Sequence, residues 1–236
     1  MTDILFKENT LLMNRLIFAL VLLLICNILL AQKPINAFSK NEKIYVQYDN
    51  GQVKEIVSGK DNEFLIFSRK NNYVLYQKLI KKSKLEGTED AMDAANQSSI
   101  YLFDLSSNQS KLLFTTCFDG NGGTEPSYAN SNMYPFNSIC SPHFFILSPD
   151  ENKIFFESKA WTVCSSIHYF NIKANKLVFF KAGSLQKIDN KGVYVEITGT
   201  DFVKRQGTTE SNGRYWQDCL FDFNGKLVRT ISEKKH

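Results

Sequence analysis

The chain has 236 residues, 43% hydrophobic and 22% charged, with a net charge of +4. This balance excludes a disordered chain, and the scattered lysines form no concentrated basic stripe of the kind a nucleic-acid partner requires. The 19 Phe and 10 Tyr, against 5 Pro and 12 Gly, favour strands, because aromatic rings pack well on pleated, half-buried surfaces.

Residues 16–31 (LIFALVLLLICNILLA) form an uncharged run directly after Arg15. A basic residue, an apolar stretch and Leu29-Leu30-Ala31 as a cleavage site are the parts of an export signal. A spanning helix needs about 20 apolar residues, and Asn27 interrupts this run. Residues 1–31 are therefore expected to be a signal peptide, with an uncleaved anchor through residues 16–31 as the alternative. Residues 32–236 then form a single β-repeat domain outside the cytoplasm, periplasmic or secreted. It meets a membrane only if the first segment is retained.

Beyond residue 31 stand Cys117, Cys140, Cys164 and Cys219. An even number in an exported chain permits up to two disulfides in three pairings; the alternative is buried free thiols acting as small hydrophobes.

Taken in chain order, the rest reads as hairpins. IYVQYDNGQVKEI (44–56) alternates at Ile44, Val46 and Tyr48, the period of a half-buried strand, and Asn50-Gly51 supplies a tight turn. FLIFSRKNNYVLYQ (64–77) aligns without gaps on FFILSPDENKIFFE (144–157), and LQKIDNKGVYVEI (185–197) follows the same plan. A second hairpin follows each of these three: IYLFDLSSNQSKLLF (100–114), IHYFNIKANKLVFF (167–180) and CLFDFNGKLVRTI (219–231). Each of those has Phe, then Asp or Asn, a polar turn, and a second apolar run. The chain is thus one isolated hairpin followed by three four-stranded units.

Tandem four-stranded antiparallel units are the pattern of propeller blades. Residues 147–156 (LSPDENKIFF) resemble the "SPDG-x-x-I-hydrophobic" hairpin of TolB-type β-propellers, relatives of the WD-repeat class, with Glu151 where Gly is usual. The resemblance implies an all-β, propeller-like domain. With three units and one hairpin, against the four to eight blades of closed rings, the propeller is small, open or partial. A β-sandwich-like stack of the same hairpins is the alternative.

Because strand direction alternates, the short turns within hairpins lie at one end of each unit and the long connections at the other. The long ones are expected near residues 78–99, 115–142 and 198–217. Such loops are disproportionately functional. The four cysteines fall on that rim, where Cys117–Cys140 would pin the longest loop and Cys164–Cys219 would staple adjacent units. Tyr128, Tyr134, Trp161, Phe202, Tyr215 and Trp216 gather there too, as flat binding area for a ring, sugar or peptide or as plugs beneath the loops. No cofactor or metal site is expected. Residues 119–125 (DGNGGTE) have calcium-loop oxygens, but Asn130 stands where the closing Glu belongs. His143, His168 and His236 are too dispersed for zinc.

What the resemblance implies is a non-enzymatic binding or scaffold module holding an unknown protein, peptide or glycan on the loop rim. One alternative is a small hydrolase or lyase using Asp119, Glu125, Asp201, Glu210 or Asp218 as acid–base groups. Another is an oligomer, a subunit completed by another chain.

Overall fold

Among the described residues fifteen strands pair as antiparallel neighbours in four sheets. The structure is a computed structural model that describes residues 32–82, 96–116, 139–161, 164–205 and 208–235, together with residues 13, 17 and 18. The first sheet holds β1 (Pro34–Lys40), β2 (Lys43–Tyr48) and β3 (Val53–Val57). The second holds β4 (Asn62–Ser68), β5 (Tyr73–Lys81), β6 (Gln97–Asp104) and β7 (Gln109–Thr115). The third holds β8 (His143–Leu147), β9 (Lys153–Trp161), β10 (Cys164–Asn171) and β11 (Lys176–Ala182). The fourth holds β12 (Ser184–Asp189), β13 (Gly192–Arg205), β14 (Thr208–Phe221) and β15 (Leu227–Lys235). In every sheet the strands lie in chain order. The domain is therefore all-β and propeller-like, with three four-stranded units and a shorter first one.

The Phe-Asp/Asn signature of the repeat is turn chemistry. Asp104 Oδ1 accepts from the Ser106 N–H (2.8 Å), Asn171 Oδ1 from the Ala174 N–H (3.0 Å) and Asp222 Oδ1 from the Asn224 N–H (2.9 Å). A short side chain satisfying its own turn's backbone favours the reversal after each of these strands.

Two expectations change. The isolated hairpin gains β1, whose sequence PINAFSK buries only Ala37 and so shows no clear alternation. The expected loop at 198–217 is instead the paired far end of β13 and β14, which continue, with one register shift between Thr200 and Phe202, to Arg205↔Thr208. Its polar composition hid two strands whose Thr, Val and Phe residues suit a pleated backbone.

Among the described residues three apolar clusters join the sheets in succession. Ala37, Ile44 and Val46 of the first meet Val74, Tyr76 and Phe103 of the second. Tyr73, Leu75 and Ile100 of the second meet Ile154 of the third. Phe155, Ile167 and Phe180 of the third meet Leu185, Val193, Val195, Cys219 and Phe221 of the fourth. The strand patterns follow from this stacking. Tyr73, Val74, Leu75 and Tyr76 are all buried, since successive side chains face opposite neighbours. In β2 only Ile44 and Val46 are buried, because that sheet is covered on one face. Serial stacking of four sheets replaces the two-sheet sandwich alternative.

The short-turn end is stitched by side chains. Arg69 Nη2 donates to the Ile35 carbonyl oxygen (2.6 Å), and Lys153 Nζ to that of Phe223 (2.5 Å). Between the second and third sheets, Glu151 Oε2 accepts from Ser68 Oγ (2.5 Å) and from the Lys70 N–H (3.0 Å). The Glu151 carbonyl oxygen accepts from Asn71 Nδ2 (2.9 Å) and the Tyr73 hydroxyl (3.1 Å). The residue that departs from the glycine of the TolB-type hairpin is thus an inter-sheet clamp.

Among the described residues no helix is long and apolar enough to cross a membrane. The proposed signal segment lies almost wholly outside them.

Candidate functional site

At the opposite end, where long connections leave the sheets, a cavity of about 570 Å³ opens between the second sheet and the approach to the third. That is within the size range of small-ligand sites. Asp61, Asn62 and Glu63 enter from the start of β4, Gln77 and Leu79 from β5, and Asn96 and Ser98 from the start of β6. Ser141, Pro142 and His143 close it from the segment leading into β8. Most of the lining residues are polar because strand termini, with their turn-forming residues, face the rim while the apolar runs face neighbouring sheets.

The chain reverses into β4 at Asp61, in the left-handed region with φ 65°, a conformation Asp tolerates better than most residues. Its N–H donates to Glu42 Oε2 (3.3 Å). Asn62 is only 5% exposed, and its Nδ2 donates to the carbonyl oxygens of Glu42 (3.1 Å) and Ser58 (3.4 Å). Its Oδ1 is buried with no hydrogen-bond partner, a deficit that typically costs about 1–3 kcal/mol. On the neighbouring strand Gln77 Nε2 donates to Glu63 Oε2 (2.5 Å), across a directly paired position.

His143 is held from both sides. Its Nδ1 faces the Ser141 carbonyl oxygen at 3.0 Å, and its Nε2 faces Glu157 Oε2 at 3.5 Å. Both partners are acceptors, so satisfying both requires two ring N–H groups, the imidazolium form. The Glu157 hydrogen bond accordingly raises the His143 pKa above its ordinary 6.5. Such a ring has no lone pair left for a base or a metal. Burial by itself would raise the Glu157 carboxyl, but His143, the Leu185 N–H and Ser165 together hold it below its ordinary 4.5. Glu157 Oε1 accepts from that Leu185 N–H at 2.5 Å, tying the third sheet to the fourth.

This pair sets a pH window. Glu157, depressed on folding, stabilises above about pH 4.5 and loses that contribution as pH falls through its folded pKa. His143, raised on folding, stabilises fully below about pH 6.5 and loses its contribution as pH rises through its folded pKa. The pair should therefore contribute most between those values. Chemical denaturation from pH 4 to 9 should show stability declining on the alkaline side of 6.5, and His143→Gln should flatten that limb. An unchanged limb in the variant would show that other groups produce it.

The cysteines divide. Cys140 is disulfide-bonded and buried, its N–H donating to Ser158 Oγ (2.9 Å) and its carbonyl oxygen accepting from the same hydroxyl (3.1 Å). Cys219 is a free thiol inside the cluster between the third and fourth sheets, so the expected Cys164–Cys219 staple is not formed. The core has captured the Cys219 side chain as a small apolar group. Cys117 and the side chain of Cys164 lie outside the described residues.

Among the described residues that line this cavity none is aromatic except the His143 imidazole. Tyr128 and Tyr134 lie outside the described residues. Trp161 ends β9 and Phe202 sits in β13, both within strands rather than loops, with side chains outside the described residues. Tyr215 and Trp216 are half-buried, consecutive residues of β14. Consecutive strand residues face opposite sides of a sheet, so these two cannot share one binding face. Of the acid–base candidates, Asp119 and Glu125 lie outside the described residues, as do the side chains of Asp201 and Glu210. Asp218 is exposed and accepts from Ser232 Oγ (2.5 Å). The residues 119–125 considered for calcium, and Asn130, lie outside as well. His168 is buried in the core, stacked on Phe156 with ring centres 5.8 Å apart.

The cavity residues were accessible only indirectly. Gln77 and Ser98 flank the connection between β5 and β6, and Ser141 to His143 end the longest one. The rim was therefore identifiable while its polar lining was not.

No protein-family model matches the chain, and no curated protein matches it. Among solved structures, TolB from Acinetobacter baumannii is similar over 82% of this chain and 40% of its own, at 15% identity and a TM-score of 0.39. The β-propeller domain of the Trilobed protease from Pyrococcus furiosus is similar over 86% of this chain and 58% of its own, at 10% identity and a TM-score of 0.41. The periplasmic gluconolactonase PpgL of Pseudomonas aeruginosa is similar over 86% of this chain and 54% of its own, at 9% identity and a TM-score of 0.35. The chain thus spans between 40% and 58% of these structures.

Proposed function

We propose that this chain is an exported, non-enzymatic binding or scaffold protein that holds a protein, peptide or glycan on the loop-bearing rim of its propeller-like domain. The observation that carries the reading is the rim cavity, of ligand size and with mostly polar residues in its lining. A rigid scaffold presenting a site on its connections is how such folds commonly bind. Export is supported by Arg15 with the uncharged run at residues 16–31. The disulfide at Cys140 agrees with an oxidising compartment. The binding role is favoured over hydrolysis because His143, the ionisable ring at the cavity, has both nitrogens engaged.

The test is a peptide and glycan array probed with the full-length protein, beside a turnover panel of glycosides and peptides. Binders are expected whose signal falls in Glu63→Ala and Gln77→Ala but persists in Lys173→Ala, an exposed change at the opposite end. Turnover of any panel substrate, or binding indifferent to the cavity changes, would sink the reading.

A further inference from the structure

We propose that the rim cavity seats a neutral sugar, one ring of a chain whose next ring lies on Phe144; this deepens the binding reading above and rests on it. The first observation is a departure within the repeat. Phe64 of β4, Phe144 of β8 and Leu185 of β12 hold equivalent positions, each one residue past a directly paired position at the rim end of its hairpin. Those pairs are Glu63↔Gln77, His143↔Glu157 and Ser184↔Glu196. Phe64 pairs with Tyr76 and packs against the cluster joining the first and second sheets. Leu185 pairs with Val195 inside the cluster joining the third and fourth. Phe144 has left the ladder. The register resumes only at Ile146↔Phe155, its φ is 56° and it is 50% exposed. A bulky residue in the left-handed region is costly, and here little burial offsets that cost. Bulges re-aim side chains beside functional sites, and such strain collects at ligand clamps. In sequence Phe144 directly follows His143, a residue of the cavity wall.

The second observation is the lining. The carboxylates of Asp61 and Glu63 only accept, whereas Asn96, Ser98 and Ser141 carry groups that donate. A sugar hydroxyl donates and accepts at one atom, so a neutral polyol can use both kinds. A cation would leave the donors unmet. An anion would meet two carboxylates, with the positive charge of His143 already balanced by Glu157. The His143 side chain is 57% exposed although both ring nitrogens face protein acceptors, so what it shows a ligand is ring face and carbon edge. Leu79 and Pro142 add apolar surface for the C–H face of a sugar. An extended peptide also carries donors and acceptors, but it is read along a sheet edge or a groove. This site is a cavity assembled from four separate segments.

The experiment is isothermal titration of the full-length protein with neutral tetrasaccharides: maltotetraose, cellotetraose and tetraacetylchitotetraose. Tetragalacturonate and a capped Gly-Phe-Gly peptide are the anionic and peptide comparisons. Saturable binding of a neutral tetrasaccharide is expected, with tetragalacturonate weaker by about tenfold or more. Phe144→Ala and Glu63→Ala should each weaken binding by about tenfold, the effect of one ring contact or one charge-assisted hydrogen bond. Phe144→Gly separates contact from packing. Glycine relieves the left-handed backbone, so the denaturant midpoint should rise while binding falls as it does in Phe144→Ala.

Binding unchanged in the Phe144 variants, or a midpoint that falls with binding in Phe144→Gly, would overturn the contact role of Phe144 and the sugar assignment with it. So would equal binding of tetragalacturonate, or tighter binding of the capped peptide. If array peptides depend on Glu63 and Gln77 while no tetrasaccharide binds, the binding function stands and the sugar assignment fails. If no ligand of either class responds to the cavity substitutions, both fail.

Discussion

Gly192→Ala should lower the unfolding free energy by about 3 kcal/mol or more, read as a drop in the denaturant midpoint. Gly192 opens β13 with φ 144°, a backbone conformation that side-chain-bearing residues rarely adopt. A Cβ built there would run into the Phe221 carbonyl oxygen and lie 3.1 Å from Leu220 Cδ1. The carbonyl belongs to β14 and has little freedom to retreat. Val193 pairs directly with Phe221, and both belong to the cluster joining the third and fourth sheets. Relief of the clash would therefore disturb a core. Gly51→Ala is the internal comparison. Its φ is 82°, yet a Cβ there meets nothing within 4 Å, so about 1 kcal/mol is expected from backbone strain alone. Equal losses at the two positions would show that the close approach at Gly192 does not matter.

Glu151→Ala should cost about 3 kcal/mol, from two hydrogen bonds to a charged acceptor at about 1.5 kcal/mol each. It releases Ser68, which is fully buried, and the Lys70 N–H. Glu151→Gly is expected to cost about 1 kcal/mol less than Glu151→Ala. Glu151 has φ 56°, and glycine alone escapes that strain. The ordering Glu, then Gly, then Ala in denaturant midpoint identifies the clamp. If Gly proved more stable than Glu, the carboxylate would not be clamping the sheets. The same substitution that restores the common TolB-type hairpin thus removes a contact specific to this chain.

The hairpin inventory was legible because it is written in local chemistry. Period-two alternation at Ile44, Val46 and Tyr48, and turn-closing residues such as Asp104, Asn171 and Asp222, need no distant partner. Where local chemistry was weak, reading failed. Strand β1 buries one alanine, and the far ends of β13 and β14 are polar, so neither carries the apolar alternation that marks a strand. The Cys164–Cys219 staple failed for another reason. Position along the repeat placed Cys219 correctly at the start of the apolar run in β14, but which face its thiol takes is set by packing on Phe155 and Phe180.

The rim shows the same division. Its existence follows from strand alternation and loop length, which the sequence alone supplies. Its chemistry does not. Asp61 to Glu63, Gln77, Ser98 and His143 come from four separate segments, and each by itself is an ordinary polar residue near a strand end. Only the stacking of the second sheet on the third sets them around one space. The turn at Glu42 and the link at Ser58, packed on the start of β4, bury Asn62 with an unmet oxygen, and the β8–β9 register places Glu157 against the His143 ring. Local sequence therefore determined the strands, the turns and the end of the domain where connections gather. Tertiary structure decided which polar groups share a cavity and which acceptors remain open, because burial and hydrogen-bond satisfaction depend on neighbours that only inter-sheet packing provides.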